Sequence, residues 1–100
     1  MSLRRFWAWL RGRPWRPDLR FVVWTRKGCH LCDEAWDLLE RESRRSGFAL
    51  ETADVDVNPE MKGRYGDCVP VVEVNGRVRF RGRVNRVLLM RLLRGSPLAA

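Results

Sequence analysis

Cys29-His30-Leu31-Cys32 is the stretch of this chain best equipped for chemistry, because it sets two thiols three positions apart at the start of a helix-like run. Taken alone, such a pair suits either redox exchange or metal ligation. A thiol attacks a disulfide only as thiolate, so a redox cysteine needs surroundings that favour negative charge. A helix N-terminus supplies them: its unsatisfied N–H groups and positive dipole end lower a thiol pKa from roughly 8.5 to between roughly 3.5 and 7.5. Cys29, on the turn and less covered, is predicted to be the nucleophile. Cys32, one turn further in, is predicted to resolve the mixed disulfide that Cys29 forms. Lys27 and His30 flank Cys29 and would support its thiolate, while Asp33 and Glu34 oppose it; His30 reads equally well as an exposed spacer. Zinc held by Cys29, Cys32 and Cys68 with His30 or a water is the weaker alternative. Only one Cys-x-x-Cys is present, and adjacent Cys29 and His30 rarely bind one tetrahedral ion.

The elements that must hold this pair follow from periodicity. Leu19-Arg20-Phe21-Val22-Val23-Trp24 is rich in β-branched and aromatic residues and predicts a buried strand. Thr25 to Gly28 supply a turn. Leu31, Ala35, Leu38 and Leu39 then recur at helical spacing, with Asp33 and Glu34 in the first turn, Arg41, Arg44 and Arg45 in the last, Asp37 with Arg41 and Glu40 with Arg44 as expected i,i+4 pairs, and Gly47 as the stop. Phe48 to Val57 predicts a second strand, on which Asp54 and Asp56 read as solvated carboxylates near its end. Asn58-Pro59-Glu60 caps a short helix through about Arg64. Strand, helix, strand implies a crossover and therefore parallel pairing. Val69 to Val74 and Arg77 to Arg81 form a hairpin around Asn75-Gly76. A two-residue loop would mix valines and arginines on one face, so the spacing favours a three-residue loop with Gly76 left-handed, Val72 opposite Val78 and Glu73 opposite Arg77. A last helix from about Arg83 to Leu93 is expected to bury Val84, Val87, Leu88 and Leu92.

One hundred residues make one domain. Three cysteines suit a reducing, cytoplasmic compartment better than a disulfide scaffold. The longest apolar run, Phe6 to Leu10, is too short for a membrane span or a secretory signal, so a soluble protein is expected. The net charge of +8 is uneven: residues 1–17 carry five arginines and residues 77–94 seven, neither with an acid, around an acidic middle. Basic ends could attract nucleic acid, an anionic membrane surface or an acidic partner protein, and an arginine-biased genome would write the same pattern. No nucleic-acid-binding motif accompanies them. Residues 1–17, with Phe6, Trp7, Trp9 and Leu10 among arginines, read as an extension that folds back on the domain, lies on a membrane surface or targets the chain. Residues 18–95 form the domain proper and 96–100 a tail.

The strand followed by Cys29-His30-Leu31-Cys32, then Asp54-Val55-Asp56 leading into Asn58-Pro59-Glu60, then Tyr65 followed by Val69-Pro70-Val71 before a hairpin, resembles the glutaredoxin and thioredoxin superfamily. Within it, residues 19–94 look most like the small bacterial glutaredoxin-like proteins. The resemblance implies an α/β, thioredoxin-like fold: a four-stranded mixed sheet, two parallel strands from the βαβ unit plus an antiparallel hairpin, with three flanking helices. It implies thiol-disulfide oxidoreductase activity on a protein or small-molecule disulfide, a cis Pro70 facing the cysteine pair, and a Val69 backbone that pairs with substrate. It also puts Cys68 near the pair as a third redox thiol, where an incidental thiol is the plainer reading. Glutathione-using members carry Cys-Pro-Tyr-Cys and a Gly-Gly pair followed by Asp, whereas this chain has Phe80-Arg81-Gly82-Arg83-Val84-Asn85. No bound cofactor is expected, and glutathione and the electron donor are left open. The alternative function is an interaction module that keeps the fold and uses its basic ends.

Overall fold

The computed structural model describes residues 14–95; the expectations for Phe6 to Leu10 and for 96–100 lie outside the described residues. Alternation along the first hydrophobic run builds β1 (Arg20–Thr25), with Phe21 and Val23 fully buried and Val22 and Trp24 half-buried on the other side. There follow α1 (His30–Ser46), β2 (Ala49–Asp54), a single 3-10 turn (Val55–Val57), α2 (Pro59–Tyr65), β3 (Val71–Val74), β4 (Arg77–Arg81) and α3 (Arg86–Arg94). The strands form one mixed sheet in the order β2-β1-β3-β4, with β1 parallel to β2 and the other pairs antiparallel.

Register decides where the chemistry collects. Thr25 pairs with Asp54, Trp24 with Val71, and Val71 with Arg81. The turn after β1, the stretch after β2, the loop before β3 and the connection after β4 therefore meet at one end of the sheet.

One face carries the core. Phe21 stacks on Phe48 with centroids 4.1 Å apart, and Ala35 and Leu39 of α1 and Leu89 and Leu93 of α3 close over Val23, Val72, Val74 and Phe80. The buried stripe of α1, Cys32, Ala35, Leu39, Glu42 and Ser46, keeps helical spacing; its one acid, Glu42, lies 3.6 Å from Arg45. Gly47 ends the helix at φ 77°, donating to the Ser43 carbonyl at 2.7 Å. The Trp15 ring lies over this glycine, so close that a Cβ there would fall 2.7 Å from it. On the opposite face α2 brings Tyr65 to 6.3 Å from Trp24.

The structure corrects four expectations. The second strand stops at Asp54 and not Val57, because the Asp54 carboxylate accepts from the Asp56 N–H at 2.8 Å and turns the chain into the 3-10 helix. The ladder of β3 starts at Val71 and not Val69, since the Cys68 and Pro70 carbonyls both accept from Gly82 N–H. The hairpin has a two-residue loop: Asn75 (φ 50°) and Gly76 (φ 82°) are both left-handed and Val74 faces Arg77. Glu73 then faces Val78 while Val72 faces Phe80, so Arg79 is the extra residue of a β-bulge, and the bulge rather than the loop brings Phe80 to the core face beside Val72, leaving Val78 opposite Glu73. The last helix begins at Arg86, where Asn85 caps it by accepting from Leu88 N–H at 3.1 Å. From that start Leu89 and Leu93 turn inward, Leu92 is half-buried, Val84 is buried ahead of the helix, and Val87 and Leu88 are 64% and 50% exposed.

Arg16 belongs to the packed body. It is buried, its Nη1 donates to the carbonyls of Leu93 and Gly95 at 2.9 and 2.7 Å, and its other nitrogens clasp both Asp18 oxygens. Hydrogen bonds from a charged donor to otherwise unsatisfied helix-end carbonyls contribute more than exposed pairs do. Arg16→Met should therefore lower the unfolding free energy in urea by about 2 kcal/mol, against less than about 1 kcal/mol for Arg20→Met, which loses only the exposed pair with Glu51.

Candidate active site

The turn after β1 sets the cysteines. Gly28 takes φ 73°, and Cys29 N–H donates back to the Arg26 carbonyl at 3.2 Å, closing the turn. Cys29 is the N-cap of α1: its backbone is extended, its carbonyl receives Asp33 N–H at 3.2 Å, and its Sγ receives Cys32 N–H at 3.1 Å. A sulfur in the place usually taken by a serine or aspartate oxygen receives the same orphan donor and the same dipole end. The sulfurs of Cys29 and Cys32 lie at disulfide distance, with Cα atoms 5.2 Å apart. Cys29 is half-buried and Cys32 is 3% exposed, so the first sulfur is the one a substrate reaches.

Lys27 and His30 are exposed beside the pair. Pro70 is buried, Val69 is half-buried, and the bond between them is cis. Pairing of β1 with β3 puts this loop at the sheet end from which the cysteine turn leaves. Cys68, half-buried and free, precedes it, its carbonyl accepting from Gly82 N–H at 3.2 Å. Among the described residues no group of three or more His, Cys, Asp or Glu side chains is arranged to hold a metal ion. No helix of the described residues is long and apolar enough to cross a membrane.

Arg26 is the residue that sequence reasoning missed. Its Nε and Nη2 bind both Asp56 oxygens at 3.0 and 2.8 Å, and its Nη1 donates to the Gly66 carbonyl at 2.9 Å. Lys62 adds a longer contact to Asp56 at 3.9 Å. One guanidinium thus ties the cysteine turn to the stretch after β2 and to the end of α2, two residues before Cys68. Parallel pairing of Thr25 with Asp54 is what brings Arg26 and Asp56 abreast. The signal available beforehand was an arginine one residue past one strand and an aspartate at the end of its parallel neighbour. On the same side Trp24 Nε1 donates to Glu73 at 3.0 Å, and Arg81 sits over the Tyr65 ring at 5.9 Å.

A family model described as Glutaredoxin-like domain (DUF836) matches residues 20–94. The chain belongs to this glutaredoxin-like family. It is similar to an uncharacterized protein of Mycobacterium tuberculosis, 37% identical over 91 residues that span 82% of this chain and 92% of that one. It is also similar to the N-acetyl-S-hydroxy-L-cysteine reductase of Bacillus subtilis, 30% identical over 69 residues, 64% of this chain and 70% of the other. Among solved structures, a mutant thioredoxin from Halobacterium salinarum superposes with a TM-score of 0.59 at 20% identity, covering 83% of this chain and 78% of its own. The mixed sheet with three helices is a thioredoxin-like fold, as the sequence resemblance implied.

Hydrogen bonds from Arg26 hold the Asp56 carboxyl below its ordinary value of about 3.9. A carboxylate whose pKa is depressed on folding contributes stability that is complete above its unfolded pKa and lost as pH falls through the folded one. The urea midpoint of the wild type should therefore fall more steeply between pH 6 and pH 3 than that of Asp56→Asn, and parallel acid limbs would mean the pair adds no stability.

Proposed function

We propose that this protein is a dithiol-disulfide oxidoreductase in which Cys29 is the nucleophile and Cys32 the resolving thiol. The observation that carries the reading is the Cys32 N–H held on Cys29 Sγ at the start of α1, because the donor that caps the helix also stabilises a thiolate at that atom. Burial of Cys32 beneath Cys29 supports the order of events.

In the reduced protein the Cys29 thiolate attacks one sulfur of a substrate disulfide. A mixed disulfide forms, and the second substrate sulfur leaves as a thiolate. The Cys32 thiol loses its proton and attacks Cys29 Sγ, breaking the mixed disulfide and releasing the first substrate sulfur. Two electrons pass to the substrate, the Cys32 proton and one from solvent end on its two sulfurs, and the pair closes as a disulfide of the kind present here. An external thiol reductant returns the dithiol by the reverse exchanges, in a reducing compartment such as the cytoplasm. The name of the Bacillus relative adds a second substrate class for the same atoms. A sulfenic acid condenses with Cys29 to the same mixed disulfide with loss of water, and Cys32 then releases the free thiol.

Pre-reduced protein mixed with a cystine peptide should convert one disulfide per dithiol. Cys29→Ser should slow this by at least about 100-fold, and Cys32→Ser should accumulate a mixed disulfide visible by intact mass. Equal rates for the wild type and Cys29→Ser would overturn the assignment.

A further inference from the structure

The side of α1 that starts at Leu31 and the connection from β4 to α3 enclose a groove of about 290 Å³. Its α1 wall is Leu31, Glu34, Leu38 and Arg41, one residue per turn along one side of the helix, and its far wall is Arg83, Val84 and Arg86. Leu31, 36% exposed, lies between the two cysteines in sequence and is the groove residue nearest to them along the chain. From there to Arg41 the helix rises about 15 Å, which an extended chain covers in about four or five residues.

Among the described residues the arginines that line this groove are not committed to ion pairs, unlike several elsewhere in the domain. Arg16, Arg20 and Arg26 are committed to Asp18, Glu51 and Asp56. Arg41, Arg83 and Arg86 are all exposed, and among the described residues none of them forms an ion pair. Residues 77–94 contain no acid at all, so the far wall has no counterion of its own, and Glu34 alone faces three arginines. An apolar floor that ends in three unpaired guanidinium groups complements a peptide with apolar and acidic side chains. A second copy of this chain would bring its own charge of +8 and be repelled at long range.

We infer that this groove docks a short acidic-apolar segment flanking the reactive cysteine of a protein substrate. The inference rests on the dithiol reading and names the substrate class for that site. Charge at the rim acts chiefly on encounter rate and on discrimination between partners.

Two cystine peptides decide it, one with Glu and Leu two to five residues from the cystine and one with Gln replacing Glu. Pre-reduced wild type should reduce the acidic peptide about tenfold faster at low ionic strength, and 0.5 M salt should erase the difference. Arg83→Glu/Arg86→Glu should remove the preference, bringing the rates of the two peptides together. Arg91→Glu/Arg94→Glu, the same change of net charge at the other end of α3, should keep it. Anisotropy of a labelled acidic peptide with serine in place of cysteine reports docking without chemistry and should weaken in the first variant only. Equal rates for the two peptides, equal losses in both charge variants, or a dimer in sedimentation that only Arg83→Glu/Arg86→Glu dissolves would each overturn the inference. If no disulfide is reduced but the serine peptide still docks in the groove, the oxidoreductase reading fails separately.

Discussion

Parallel pairing of β1 with β2 is the constraint on which the rest of this structure depends. Two consecutive strands that run the same way need a crossover between them, and here α1 supplies it. The helix must begin where β1 ends, so its positive dipole end lies at the edge of the sheet to which the C-termini of both strands point. Cys29 occupies the cap position because the turn from β1 delivers it there. The same alignment sets Arg26 beside Asp56, and the antiparallel return of β3 adds Val69-Pro70 and Cys68 at that edge. Nucleophile, resolving thiol and bracing arginine are therefore products of one pairing decision.

The features legible in the sequence are those fixed by local physics. The start of α2 at Asn58-Pro59, the stop of α1 at Gly47 and the burial of Cys32 each depend on residues within one helical turn. What escaped was decided by tertiary competition. A three-residue loop and a two-residue loop with a bulge both repair the parity of the hairpin; Asn75-Gly76 locally favours the two-residue loop, but the bulge at Arg79 that reconciles it with the side-chain pattern has no local signal. Val87 and Leu88 carry the same apolar signal as Leu89 and Leu93, and only the start of α3 at Asn85 determines which of them face the core. The Arg26 contact spans thirty residues and becomes visible only once the strands are aligned.

Arginine illustrates why composition is a poor guide to role. Eighteen of these residues give the chain its charge, yet they divide by partner rather than by position in sequence. Arg16 and Arg26 use the planar fork to join backbone carbonyls and a carboxylate in one contact, a geometry that an ammonium group does not reproduce. Arg81 lies over an aromatic face. Those left at the groove keep their hydration until something displaces it.

The contact of Arg16 with the end of α3 joins residues separated by nearly the whole domain. It encloses every strand and helix of the described residues in a single loop, the longest closed by any of their hydrogen bonds. Tension applied between residue 14 and residue 95 would load this clasp before it reached the sheet. The domain therefore has a mechanical latch at the end away from its cysteines, one that loads the end of α3 while Leu93 still holds the helix to the core and the redox edge stays assembled.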